Sequence, residues 1–370
     1  EHGHPQPVLL LDAATGKDIG KLPARHARFL FSPDSNTLAF IKREQIELYN
    51  VPTSRLVRKL LTPGATVHVR STGFSRDSRL VALATLKSND ASVRPIDLWE
   101  AITGEKRTAL VPFRVPVSAV AVSPDGALLA TGDNEGTIHL WGLAIGKEVR
   151  QLQGHRGGVE SLAFSHDGKR LASGGRDTTA LIWDIREVAE AAHPRPIDVS
   201  QQRLEHLWAD LGGNDGARAH RAIWELAAAR QTMPWLREHL KPVLPADARR
   251  MARLIADLDS DDFTVRERAT RDLEALGQPA GPALRKALAS KPSLEMRRRI
   301  EPIVEKLDNW PTSSGTSLRE WRALEVLEHL GTPEARKLLE RLAEGVAEAG
   351  LTREAKAALQ RLAARHAPKP

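Results

Sequence analysis

The chain has 370 residues, longer than the roughly 250 to 300 at which a single hydrophobic core stops growing, so two domains are the expectation. Its 41% apolar and 27% charged residues exclude a disordered chain, and no window approaches the roughly 18 consecutive apolar residues of a membrane-spanning helix. The formal charge of +7 is spread, with 25 of the 54 basic and 22 of the 47 acidic residues before position 200, so neither half is a concentrated basic module.

The absence of cysteine excludes disulfides and thiolate chemistry. It suits a reducing cytosol and a cysteine-free exported protein equally, so the compartment stays open with the cytoplasm as the default. The opening EHGHPQP lacks the basic and apolar regions of a signal peptide. Because the chain starts at Glu1 and is inside an apolar strand-like run by Val8, we expect it to be part of a longer polypeptide.

Four segments of the first half repeat one pattern of apolar alternation, a Ser/Asp turn and renewed apolar alternation. They are Phe29–Ser35 (FLFSPDS), Gly73–Ser78 (GFSRDS), Val120–Gly126 (VAVSPDG) and Leu162–Gly168 (LAFSHDG). The turn aspartates Asp34, Asp77, Asp125 and Asp167 are spaced by 43, 48 and 42 residues, close to the roughly 40 to 45 of a four-stranded propeller blade. Proline pre-sets φ in such a turn, aspartate caps the local backbone, and Gly126 and Gly168 tolerate positive φ. Each turn leads to a second strand and then a third that ends at Tyr49, Trp99, Trp141 or Trp183. A polar fourth strand follows the first three of these, its charged alternation suiting an outer edge.

Gly154 and His155, then Ser173, Asp177, Trp183 and Asp184, resemble the Gly-His start and Trp-Asp end of the WD-repeat family. The resemblance implies a structural hydrogen-bonded line through His155, Ser173, Asp177 and Trp183. The preceding repeat offers Phe113, Thr131, Glu135 and Trp141 at the equivalent places, and an earlier one replaces tryptophan with Tyr49, so these blades are expected to rely on packing alone. The chain opens with a third strand at Val8 to Leu11 and a fourth near Lys17 to Leu22, and its last blade stops after three strands at Asp184. With seven blades usual in the family, about three blades' worth of sequence is expected upstream.

Pro194, Arg195 and Pro196 mark a linker, beyond which apolar residues fall at helical spacing. The stripes are Leu204, Leu207, Trp208 and Leu211; Met251, Leu254, Ile255 and Leu258; Ile300, Ile303, Val304 and Leu307; Ala355, Ala358, Leu359 and Leu362. Ser317 with Glu320 reads as a capping box, Ser293 and Thr332 as N-caps, and Gly277, Gly331 and Gly350 as residues that follow helix ends. Eight or nine short helices result. Asp261–Ala269 (DDFTVRERA) through Leu276 and Gly277, with Ala283, Leu284, Ala287 and Leu288, resembles a HEAT-like helical repeat. The combination resembles bacterial WD-repeat proteins with a helical tail.

The expected fold is therefore multidomain β then α. Residues 1–190 are the C-terminal blades of a partial WD-repeat β-propeller, 191–199 a linker, and 200–370 an all-α HEAT-like domain. His155, Ser173 and Asp177 also have the residue types of a hydrolase triad, but no G-x-S-x-G elbow occurs, and the family resemblance makes them structural. No Walker, dinucleotide, HExxH, EF-hand or paired-carboxylate pattern points to a cofactor or metal, although His2 and His4 could take a stray ion. The reading is thus a non-enzymatic scaffold that captures protein partners at propeller loops and in the groove of the helical tail, without cofactor, metal or membrane segment. The resemblance places partner contacts at Arg156, Glu160 and Arg176, around the Gly-His start and the tight turn.

Two rival readings stay open. The chain is the sensor end of a larger signalling enzyme or sigma-factor-like regulator whose active domain lies upstream, or its helical tail binds nucleic acid through Arg249, Arg250 and Arg253 with Arg297, Arg298 and Arg299. The acidic residues Glu295 and Glu301 beside the second cluster and the single tyrosine of the chain weigh against nucleic acid. Trp235 and Trp310 sit near loops and are additional candidates for partner contact.

Overall fold

A computed structural model describes residues 8–22, 28–42, 45–61, 67–87, 96–110 and 115–366. His2, His4 and Phe113 lie outside them. The chain divides into two compact units, Glu1–Arg195 with Asn214–Arg221, and Pro196–Gly213 with Ala222–Pro370.

The first unit is built of antiparallel sheets taken in chain order. A two-stranded sheet pairs β1 (Val8–Leu11) with β2 (Asp18–Leu22). Three four-stranded sheets follow. They contain β3 (Arg28–Phe31), β4 (Thr37–Ile41), β5 (Gln45–Asn50) and β6 (Arg55–Leu61); β7 (Val67–Phe74), β8 (Leu80–Lys87), β9 (Ile96–Glu100) and β10 (Lys106–Leu110); and β11 (Val117–Val122), β12 (Leu128–Asp133), β13 (Thr137–Gly142) and β14 (Lys147–Gln153). The last sheet has three strands, β15 (Val159–Phe164), β16 (Arg170–Gly175) and β17 (Ala180–Asp184). Strand order in every sheet is sequence order, so each connection is a hairpin between neighbours.

The four Ser/Asp turns share one hydrogen-bond scheme. Ser32, Ser75, Ser123 and Ser165 each donate their hydroxyl to the aspartate two residues on, at 2.5 to 2.6 Å. Each also accepts the main-chain N–H of the residue five positions on, Thr37, Leu80, Leu128 or Arg170, at 2.8 to 2.9 Å. The reversal needs a residue at positive φ. Gly126 and Gly168 occupy that place in two turns, and Ser35 (φ 59°) and Ser78 (φ 61°) in the others. The third-strand aromatics share a register, since Tyr49, Trp99, Trp141 and Trp183 stand opposite Leu38, Val81, Leu129 and Leu171 of the second strands.

Alternation places apolar residues of successive sheets against each other. Leu48, Ile46 and Leu60 join Val81, Leu83 and Trp99 in one buried cluster, and β11 lies beside both β7 and β15. The exposed pattern of β14 fits an outer edge.

Eleven α-helices follow among the described residues, ten of them beyond the linker where eight or nine were expected. They are α1 (Arg186–Ala192), α2 (Gln201–Leu211), α3 (Gly216–Ala228), α4 (Thr232–His239), α5 (Ala248–Asp257), α6 (Phe263–Leu276), α7 (Gly281–Ala289), α8 (Leu294–Asp308), α9 (Gly315–Leu330), α10 (Pro333–Ala343) and α11 (Gly350–His366). One unforeseen helix is α1, too short at seven residues to show a periodic stripe. Ser200, Asp247, Asp262, Ser293, Ser314 and Thr332 cap helix starts by accepting a main-chain N–H. Two expectations need correction. The cap of α9 is Ser314, which accepts from Ser317 N, so Ser317 lies inside the first turn. Gly350 opens α11 instead of following a helix end, whereas Gly277 (φ 62°) and Gly331 (φ 58°) do close α6 and α9.

The helical unit has two cores. One gathers Leu204, Leu207 and Leu211 with Leu324, Leu327, Leu339, Ala355 and Leu362, around α9, whose middle is buried on nearly every side. The other gathers Met251, Leu254 and Leu258 of α5 with Leu273, Leu284, Ile300 and Ile303. Here α5 packs on α6 and α7 on α8. Each apolar stripe supplies its core, with Trp208, Ile255, Val304 and Leu359 half-buried at the stripe margins.

Candidate functional site

The hairpins of the three-stranded sheet assemble the residues singled out in the sequence. His155 and Arg156 lie in the loop before β15, Glu160 is the second residue of β15, Ser173 is in β16, Arg176 and Asp177 form the turn after it, and Trp183 is in β17. Trp183 donates its indole N–H to Ser173 Oγ at 2.8 Å, and Ser173 Oγ lies 2.8 Å from His155 Nε2. On the other side of the ring, His155 Nδ1 is 3.1 and 3.2 Å from the two Asp177 carboxylate oxygens. A neutral imidazole with its proton on Nδ1 satisfies every member, because Ser173 then donates to Nε2 while it accepts from Trp183.

Asp177 is the hub of the turn. It accepts the main-chain N–H of Arg156 at 2.7 Å, the Thr179 hydroxyl at 2.7 Å and the Thr179 N–H at 3.1 Å. These bonds, the Arg156 N–H foremost, hold its carboxyl well below the usual carboxylate range. Thr179 also places its hydroxyl 3.1 Å from His155 Nδ1, a contact the sequence reading missed. Its signal was present as Asp-x-Thr, the pattern of a local side-chain-to-backbone turn. Glycine is required beside the histidine, since a Cβ at Gly175 would lie 2.4 Å from His155 Nδ1.

Access separates this line from a catalytic triad. Ser173 is 3% exposed and the His155 ring is buried, so the hydroxyl faces the sheet interior and offers no surface to a substrate. Arg156 and Arg176 on the loops and Glu160 at the start of β15 are exposed, with Arg176 Nε donating to Glu160 Oε1 while their side chains stay 62% and 51% accessible. The Arg156 main chain is fixed by Asp177 and its side chain projects outward.

The preceding sheet does not rely on packing alone. Trp141 donates to Thr131 Oγ1 at 3.3 Å, repeating the tryptophan-to-hydroxyl bond. Asp133 there takes the part of turn hub, accepting the N–H groups of Glu135 and Thr137 at 2.9 Å each, with His139 Nε2 at 3.2 Å. Glu135, the residue aligned with Asp177, contributes its main chain only to this turn. In the sheet of β3 to β6, Tyr49 donates its hydroxyl to Glu47 at 3.0 Å.

Trp235 and Trp310 are half-buried against the first helical core, and Trp310 lies in the turn between α8 and α9. Trp235 lies within α4 and stacks on His239 with centroids 4.0 Å apart, and a Cβ on Gly350 would lie 2.3 Å from Trp310 Cδ2. Arg299 is engaged by Glu295 and Glu267 at 2.7 Å each, which removes one cation from the proposed phosphate ridge. Among the described residues, no group of three or more His, Asp or Glu is placed to hold a metal, and no helix is long and apolar enough to cross a membrane.

The family model for the WD domain, G-beta repeat, matches residues 111–142 and 146–184. These are the sheet of β11 to β14 and the three-stranded sheet that carries His155, Ser173, Asp177 and Trp183. Among solved structures, the chain is similar to the computationally designed Ika4 protein at 21% identity and a TM-score of 0.37, over 46% of this chain and 99% of that one. It is also similar to a chain of the mitotic checkpoint complex at 23% identity and a TM-score of 0.38, over 43% of this chain and 48% of that one. No curated protein matches.

Proposed function

We propose that this chain is a non-catalytic protein-protein interaction scaffold. In this reading residues 1–190 are the closing blades of a WD-repeat β-propeller, 191–199 a linker and 200–370 a HEAT-like helical domain. The observation that carries it is the division of labour in the matched repeat: the polar line of His155, Ser173, Asp177 and Trp183 is turned inward, while Arg156 and Arg176 on the loops that line fixes, and Glu160 at the start of β15, stand exposed. WD repeats typically mediate protein-protein contact, and a rigid scaffold that presents exposed loop side chains is the physical basis of such binding. The side-by-side first strands β7, β11 and β15 support radial stacking of blades, and the paired helices α5 with α6 and α7 with α8 around one core support a helical repeat.

The test is chemical cross-linking of the full chain in its source lysate, with and without nuclease, followed by mapping of the cross-linked residues. A specific protein attached near Arg156, Glu160 and Arg176 is expected. Recovery of nucleic acid alone, or of cross-links confined to α5 and α8, would move the function to the arginine-rich helices.

A further inference from the structure

The helical unit carries a groove for which the scaffold reading names neither residues nor a ligand. Its floor is Met251 and Ile255 of α5 with Ala283 and Ala287 of α7, its volume is about 600 Å³, and nearly all of its lining is apolar. Ala252 lies on the exposed side of α5 and also lines it, and Leu244, just before Pro245 at the groove, is 69% exposed. Small side chains make the trough. Apolar lining of this kind, left open beside an exposed leucine, marks a binding surface.

The charges around the groove say what fits it. Lys286 lines it, and Arg249 and Arg253 lie one helical step from the lining residues Ala248, Ala252 and Ala256 along one edge of α5. All three are exposed cations without an ion pair among the described residues. Arg285 and Arg299 of this helix group are neutralised, the first by Asp308 and Glu348 and the second by Glu267 and Glu295. Arg250, Arg268, Arg271, Arg297 and Arg298 of the same helix group are in no ion pair among the described residues either, so what marks Arg249, Arg253 and Lys286 is their place beside an apolar groove.

We infer that the α5/α7 groove binds an amphipathic helix of a protein partner, with large apolar residues on one face and carboxylates along its edge. An extended peptide would leave main-chain groups unpaired here, because no strand edge borders the groove among the described residues; a helix brings its own bonds satisfied. The ten residues of α5 are about 15 Å long, enough to seat about three turns of a partner helix. This inference rests on the scaffold reading and gives its helical-tail surface, distinct from the loops at Arg156 and Arg176, its residues and its partner chemistry.

The experiment uses the full chain and two fluorescein-labelled helical peptides with the same leucine stripe, one flanked by glutamates and one by lysines, followed by anisotropy. The glutamate peptide is expected to bind about tenfold more tightly, and less so at high salt. Reversing the edge with Arg249→Glu, Arg253→Glu and Lys286→Glu should invert the preference. Ala252→Trp fills the groove from an exposed helix position and should abolish binding of both peptides at an unchanged melting temperature. Equal binding of the two peptides, no binding of either, or full binding by Ala252→Trp overturns the inference, as does saturable palmitate binding that Ala252→Trp removes while neither peptide binds. Loss of the groove with partner capture at Arg156, Glu160 and Arg176 intact would leave the scaffold reading standing, and the converse result would separate the two in the other direction.

Discussion

Trp183 gives its indole N–H to the Ser173 hydroxyl across the hairpin from β16 to β17, at 2.8 Å. The bond is possible because Trp183 stands opposite Leu171, two residues before the serine on the neighbouring strand, which lays the indole along the strand toward the hydroxyl. The same offset recurs one sheet earlier, where Trp141 opposes Leu129 and bonds Thr131. A single cross-strand geometry thus serves two repeats that differ in the rest of their polar residues.

Replacing the hydroxyl should cost more in the last repeat than in the one before. Ser173→Ala leaves the buried His155 Nε2 and the Trp183 N–H without their partner, and a loss of about 1 to 3 kcal/mol is expected. Thr131→Val keeps the shape and removes one bond of 3.3 Å, for a loss of about 1 kcal/mol or less. Urea unfolding of both variants checks the order, and equal losses would mean that the polar line adds nothing to the matched repeat.

Two glycines at positive φ should differ in tolerance. A Cβ at Gly136 (φ 93°) would lie 2.6 Å from the His155 carbonyl oxygen and 2.8 Å from that of Gly157, so backbone must move. At Gly146 (φ 64°) nothing lies within 4 Å. Gly146→Ala is expected to cost about 1 to 2 kcal/mol from conformation alone, and Gly136→Ala clearly more, as read by thermal unfolding.

Tyr49 is the sole tyrosine, so its ionisation can be followed by ultraviolet absorbance without interference from another phenol. Burial, then the hydrogen bond to and charge of Glu47, push it up from 10.0 to about 12. Its pKa is raised in the fold, so its contribution to stability is complete below about pH 10 and is lost as pH rises through about 12. The folded protein should titrate near the upper value and the urea-unfolded chain near the lower; Glu47→Gln should lower the folded midpoint.

His139 lies between Asp133 and Glu148, at 3.2 and 2.7 Å. Burial alone would depress it, but the bonds to the two carboxylates outweigh burial and raise it above 6.5. The stabilisation is therefore full below the unfolded value and fades as pH rises through the raised one. The stability difference between the native chain and His139→Gln should be largest near about pH 5.5 and shrink by about pH 9, measured by denaturant titration at both.

Local chemistry was legible in the sequence directly, whereas the longer-range line from His155 through Ser173 to Trp183 was legible only through the family resemblance. The Ser-x-Asp turns could be read because both partners sit two residues apart, and the strand ends because an aromatic marks each one. Ser35 and Ser78 were harder, since serine does not announce positive φ as glycine does. The cap of α9 was misplaced because Ser313, Ser314 and Ser317 all offer a hydroxyl within one turn, and only geometry chooses among them. The α5/α7 groove was legible only as apolar residues: Met251, Ile255, Ala283 and Ala287 stand in the sequence patterns, but that they leave an open groove depends on how helices about thirty residues apart pack.

The most direct measurement is affinity capture from the source lysate by the full chain beside a variant carrying Arg156→Ala, Glu160→Ala and Arg176→Ala, with melting temperatures taken in parallel. These side chains are exposed and the main-chain bond from Arg156 to Asp177 survives their removal, so the fold should be unchanged. One specific protein recovered by the native chain and lost from the variant at the same melting temperature is the expected result. The same protein recovered equally by both would contradict the placement of the partner site on the loops of the matched WD repeat.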